Sequence, residues 1–104
     1  MRIIIAAFLI AGFPCAASAA DSMAFANNLG MMLASEGPCD LSFKQSAIEA
    51  LIQKKVSAED LGFTSMLQMM TSGSEIQIGE MSPSAKTAHC SQIRRSAKAY
   101  GFID

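Results

Sequence analysis

The chain has 104 residues, with eight basic and nine acidic side chains, three cysteines, no tryptophan and a formal net charge of −1. This length leaves room for one small domain, which excludes a multidomain enzyme and a nucleotide-binding α/β fold. The basic residues form only the isolated pairs Lys54-Lys55 and Arg94-Arg95, whereas nucleic-acid binding needs a clustered basic face. We therefore expect no nucleic-acid partner.

The first segment, residues 1–20, has the organisation of a secretory signal peptide. A basic second residue precedes an apolar run from Ile3 to Phe13, and small residues follow a proline up to Ala20. The apolar run is too short to span a bilayer, which takes about 20 helical residues. We predict cleavage after Ala19 or Ala20, a single domain at 21–104, a periplasmic or secreted location, and no stable membrane anchor after cleavage.

Two cysteines remain once the leader is set aside, Cys39 and Cys90. An even pair in an exported chain indicates a disulfide. Closing a loop of about 52 residues would stabilise a small domain by roughly 4 kcal/mol in the chain-entropy model. Two free buried thiols or an intermolecular bond are the alternatives. The third cysteine, Cys15, lies in the leader, where Gly12-Phe13-Pro14 lacks the pattern of a lipid-attachment signal.

The domain is predicted to be helical because apolar residues recur every three or four positions. The first helix is predicted from Ser22 to Ser35, and Gly37-Pro38 ends it, which places Cys39 in the following turn. The second is predicted from Ser42 to Lys55, with Ser42 and Gln45 in capping-box spacing. The apolar faces consist of Phe25, Leu29, Met32 and Leu33 in the first helix, and of Phe43, Ala47, Ile48, Leu51 and Ile52 in the second.

The third segment is predicted to begin at Ser57 and to end near Gly73. Because Gly62 interrupts it, with Thr64 as a second possible start, we expect either one broken helix or two short ones. The next stretch, Ser74 to Gly79, alternates apolar and polar residues with period two, but no second strand is available to pair with it. We therefore predict an extended linker there. The apolar face of the third segment consists of Phe63, Met66, Leu67 and Met70.

The fourth helix is predicted to start with Ser82 as N-cap and Pro83 at its first position, and to reach Tyr100 before Gly101. One face carries Cys90, Ile93, Ala97 and Tyr100, so Cys90 should point at the core and meet Cys39. The predicted fold is therefore all-α, a small orthogonal bundle of about four short helices held by one disulfide.

Residue types that perform catalysis are scarce in this chain. His89 is the only histidine, and a disulfide-bonded Cys90 beside it cannot act as a nucleophile. Together with Cys39, these residues are one ligand short of a zinc site. We predict a protein that is not an enzyme, with no catalytic residue, no metal site and no cofactor.

Methionine is overrepresented, with eight residues in the chain. Methionine fills irregular gaps in small cores, and it also forms adaptable surfaces for varied protein partners. The thioether sulfur of methionine can also bind Cu(I) in exported proteins. We predict an exported, stress-related or chaperone-like module that binds other proteins. Neither the identity of the partner nor the oligomeric state of this chain follows from the sequence. A Cu(I)-binding carrier and a structural subunit of a cell-envelope assembly are the alternatives. The candidate partner-binding residues are Met31, Met32, Met66, Met69 and Met70.

The cysteine-bearing segments resemble those of the small acid-stress chaperones of the bacterial periplasm. The similar segments are Cys39-Asp40-Leu41-Ser42-Phe43, an acidic and aromatic turn into a helix, and Cys90-Ser91-Gln92 in the last helix. Gly37 and Pro38 stand where that family usually has tryptophan and threonine. The resemblance implies a chaperone that exposes apolar surface at low pH, with Cys39 and Cys90 as its structural bridge.

Overall fold

The computed structural model describes residues 18–104. Residues 1–17 of the predicted leader, including Cys15, lie outside the described residues. Within 18–104 the chain forms four helices and no strand, which confirms the all-α prediction. None of the helices in this part of the chain has both the length and the hydropathy needed to cross a membrane. The helices are α1 (Ser18–Ser35), α2 (Gln45–Lys55), α3 (Phe63–Gly79) and α4 (Pro83–Ala99).

The main packing interface joins α1 to α3. The two helices run in the same direction, because Phe25 stacks on Phe63 with ring centroids 5.6 Å apart, while Gly30, further along α1, faces Met70, further along α3. The core between the four helices is completed by residues from α4 and from the segments that flank α2. Its buried members are Ala26, Leu29, Met32, Phe43, Phe63, Ile93, Ala97 and Phe102.

The predicted capping box at the start of α2 is wrong. The helix begins at Gln45, its N-cap residue is Lys44, and no side chain caps it. Phe43 is buried against Phe102, with ring centroids 5.4 Å apart, and the backbone N–H of Lys44 donates to the carbonyl of Phe102 at 2.8 Å. These contacts hold the chain extended through Lys44, so Ser42 lies outside the helix and is exposed.

The predicted interruption at Gly62 is confirmed, because the helix starts directly after it, within one residue of the predicted second start at Thr64. The predicted helical start at Ser57, the end near Gly73 and the linker are wrong. The helix α3 starts after Gly62 and continues through Gly73 to Gly79, while Ser57 lies in the loop before it. Ser74 and Ile78 are buried and four residues apart, so they extend the buried face that begins at Phe63. Two alternating isoleucines are too few to specify a strand, and helical packing against α1 decides the conformation.

The predicted start and end of α4 are confirmed. The Ser82 hydroxyl accepts from the N–H of Ala85 at 3.2 Å, and Pro83 occupies the first turn. The predicted face is buried as far as Ala97, whereas Tyr100, the C-cap, is about half exposed.

Two turns of the same type follow α1 and α4. After α1, the N–H of Leu41 donates to the carbonyl of Glu36 at 2.8 Å, and Asp40 adopts φ 54°. After α4, the N–H of Phe102 donates to Ala97 at 2.8 Å, and Gly101 adopts φ 76°. This double closure, a Schellman motif, reverses the chain sharply. It directs Phe102 back into the core.

Candidate functional site

The structure divides the five candidate methionines between core and surface. Met32 is 5% exposed and belongs to the core, so it fills space between helices. Met69 is 68% exposed on α3. The other three, Met31, Met66 and Met70, are partly buried. The methionine cluster of the sequence is therefore not one continuous surface.

Part of this set borders an open groove between α1 and α3, of about 430 Å³, which we call the α1–α3 groove. Met70 lines it from α3, and Met23, Ala24 and Asn27 line it from α1. Met23 was not among the predicted residues. Its spacing of four from Asn27, which puts both on one side of α1, is the signal that points to it.

A second apolar feature lies on the solvent side of α3. Met69 and Ile76 are seven residues apart, so they lie on the same side of the helix. They are 68% and 66% exposed. We call this pair the outer strip. The sequence prediction missed Ile76 because it assigned that residue to a linker.

The predicted disulfide is present and joins Cys39 to Cys90, with their Cα atoms 5.3 Å apart. It ties the turn after α1 to the middle of α4. The Arg94 guanidinium adds a second link, since its Nη2 donates to the carbonyl of Cys39 at 3.3 Å. Both cysteines border an open cleft of about 290 Å³, which we call the disulfide cleft. Lys86 and Arg94 line the same cleft.

Ser35 and His89 form a side-chain hydrogen bond of 2.8 Å between Ser35 Oγ and His89 Nε2. The spacing resembles a nucleophile and its base. However, the Ser35 hydroxyl donates its only hydrogen to the carbonyl of Met31 at 2.6 Å, so Oγ accepts from His89. Ser35 is also fully buried, so no substrate reaches it. The pair is a hydrogen bond that joins α1 to α4.

The C-terminal residue Asp104 forms an ion pair with Lys44. The Lys44 ammonium donates to the carboxylate and holds the pKa of Asp104 below its ordinary value, chiefly through this hydrogen bond and then through its charge. The pair lies next to the backbone hydrogen bond between Lys44 and Phe102. It is an exposed pair that links the same two segments as this backbone hydrogen bond.

Among residues 21–104, no three histidine, cysteine or acidic side chains converge in a group able to hold a metal ion. Comparisons of the chain with protein-family models, with curated proteins and with solved structures found no match.

Proposed function

We propose that this chain is an exported, non-enzymatic protein that binds other proteins in the manner of a chaperone. The observation that carries the proposal is the outer strip, where Met69 and Ile76 are each about two-thirds exposed on a helix packed firmly on its other side. Together with the α1–α3 groove, the outer strip offers apolar surface on an ordered scaffold. Exposed apolar surface of this kind is typical of interaction sites.

The composition of α3 suits binding to varied partners. Its seventeen residues include three methionines and only one charged side chain, Glu75. Unbranched thioether side chains adapt to different apolar partners. A surface with so little charge selects weakly against either acidic or basic clients, which is the property that a general chaperone needs.

An exported location is supported by two features of the chain. Residues 1–20 have the organisation of a signal peptide. The Cys39–Cys90 bond is of the kind that persists in oxidising compartments such as the periplasm. The absence of an enzymatic role in the proposal is supported by the buried Ser35, whose hydroxyl proton is directed at a backbone carbonyl.

The C-terminal tail supplies an acid-sensitive contact for the chaperone role that the family resemblance implies. Protonation of Asp104 removes its ion pair with Lys44, and the tail loses a fastening beside Phe102. Phe102 packs on Phe43 and both rings are buried, so in this proposal a looser tail would uncover them more often. We propose that acid enlarges the apolar surface in this way.

The test is suppression of aggregation of a denaturing client, such as heat-treated citrate synthase, measured by light scattering at neutral pH and, with an acid-denatured client, at a series of pH values below the ordinary aspartate pKa of about 3.9. We expect the mature chain to reduce scattering at equimolar to tenfold excess, and more strongly in acid. The double variant Met69→Gln/Ile76→Gln should lose most of this effect. Its matched control is Ser65→Gln/Ser72→Gln, which changes two exposed α3 residues at the same spacing of seven.

Two results would contradict the proposal. One is the absence of any protection by the unmodified chain at tenfold excess at any of these pH values. The other is an equal loss of protection in the methionine–isoleucine variant and in the serine control, because the outer strip would then have no special role.

A further inference from the structure

The disulfide cleft brings together a disulfide bond and positive charge. Cys39 and Cys90 are 3% and 6% exposed, and both border the cleft. The cleft is open to solvent and, at about 290 Å³, has room for a small molecule. A solute that enters it therefore lies beside the two cysteines that join α4 to the turn after α1.

The charge on the cleft has one sign. Lys86, Cys90 and Arg94 follow one another at spacings of four, so they lie along one side of α4 with the cysteine in the middle. Both cations are exposed and line the cleft, and none of the described carboxylates does. The Arg94 guanidinium also donates to the carbonyl of Cys39, and this hydrogen bond holds it beside that cysteine. The neighbourhood of the disulfide therefore attracts anions.

We propose that the disulfide cleft is a site of thiol–disulfide exchange for small thiols that carry carboxylates. The thiolate of such a molecule attacks the Sγ atom of one cysteine and forms a new S–S bond with it. The bond between Cys39 and Cys90 breaks, and its electron pair leaves on the other Sγ as a thiolate. The product is a mixed disulfide on one cysteine and a free thiolate on the other.

The two cations favour this exchange at both ends of the step. They raise the local concentration of an anionic attacking thiolate. They also stabilise the negative charge that develops on the departing sulfur, because neighbouring lysine and arginine side chains favour the thiolate form. A cationic thiol is repelled by the two cations as it approaches, although the departing thiolate is stabilised equally for both kinds of thiol.

The experiment measures the rate at which the intact mature protein is reduced by glutathione, which is anionic, and by cysteamine, which is cationic, near neutral pH and at low salt. Alkylation of freed thiols and mass spectrometry follow the reaction and detect the mixed disulfide. The ratio of the two rates is compared between proteins, so differences in intrinsic nucleophilicity cancel. We expect Lys86→Gln to lower the ratio of glutathione to cysteamine rates about three- to tenfold.

Two further variants separate local charge from other effects. Lys86→Arg should keep the ratio of the unmodified protein, because it keeps the charge. Lys98→Gln removes an exposed cation on the same helix that does not line the cleft, and it should leave the ratio unchanged. Concentrated salt should reduce the preference for glutathione in the unmodified protein.

The proposal fails if the unmodified protein shows the same rate ratio when folded and when unfolded in urea, because the reagents then meet the bond only after unfolding. It also fails if Lys98→Gln lowers the ratio as much as Lys86→Gln. The readout is a reaction rate, so a negative result here leaves the proposed chaperone function untouched, and the reverse also holds.

Discussion

Gly30 of α1 lies directly against the backbone of α3 at Met70. A Cβ atom built on Gly30 would lie 3.0 Å from the Cβ of Met70 and 3.0 Å from the backbone nitrogen of Thr71. A side chain at position 30 would therefore press on backbone and Cβ atoms of α3, which would have to shift by a few tenths of an ångström. The interface that supports the α1–α3 groove depends on the absence of a side chain there.

We predict that Gly30→Ala lowers the free energy of unfolding by about 1–3 kcal/mol, because overpacking at a backbone contact outweighs the gain in helix propensity. The matched control is Gly73→Ala on α3, where a new Cβ meets nothing within 4 Å. That change should raise stability by about 0.5–1 kcal/mol. Urea denaturation of the two variants measures both effects, and equal shifts of the same sign would contradict this packing.

The Lys44–Asp104 pair predicts an acid-dependent loss of stability. The folded-state pKa of Asp104 is lowered, so its contribution is present above the unfolded-state value of about 3.9 and is lost as pH falls through the folded value. Asp104→Asn should therefore be less stable than the unmodified protein at pH 6, and the difference should vanish in stronger acid. Urea denaturation at several pH values measures it. Glu75→Gln, which removes an exposed carboxylate from α3, is the control, and an identical profile for both variants would contradict the assignment.

The Ser35–His89 contact predicts energetic coupling between α1 and α4. A double-mutant cycle with Ser35→Ala and His89→Ala should give a coupling energy of about 0.5–1.5 kcal/mol, the net value of a typical hydrogen bond in proteins. Chemical denaturation of the four proteins gives this value. Additive effects of the two substitutions would show that the bond does not contribute to stability.

The two helix-ending turns predict opposite responses to glycine and alanine. Asp40 holds a left-handed conformation without being glycine, so Asp40→Gly should stabilise the fold by about 0.5–1 kcal/mol. Gly101→Ala places a Cβ in the same conformation and should destabilise it by about 1 kcal/mol. Thermal unfolding followed by circular dichroism measures both. Shifts in the same direction would be inconsistent with the turn described above.

Local signals in the sequence predicted much of this fold. The serine cap, the proline at the first position of α4 and the terminal glycine act through neighbouring backbone groups, and these predictions are confirmed. The disulfide was predictable because an even pair of cysteines was placed at a turn and on a buried helix face.

The errors arose where distant contacts decide the structure. The start of α2 depends on Phe102, almost sixty residues away from Phe43 along the chain, and the continuation of α3 depends on packing against α1. The disulfide cleft was missed for a similar reason. The spacing of Lys86, Cys90 and Arg94 was visible in the sequence, but the facing turn that encloses the cleft was not.

The disulfide divides the chain into a closed ring and two segments outside it, and these parts differ in how they can unfold locally. The closed ring contains α2 and α3 completely, whereas α1 precedes Cys39 and the final residues follow Cys90. Detachment of α1 therefore breaks no covalent bond, yet it uncovers the face of α3 that carries Phe63 and Met70. A partly opened molecule would then present far more apolar area than the folded one, while the ring keeps it ready to close again.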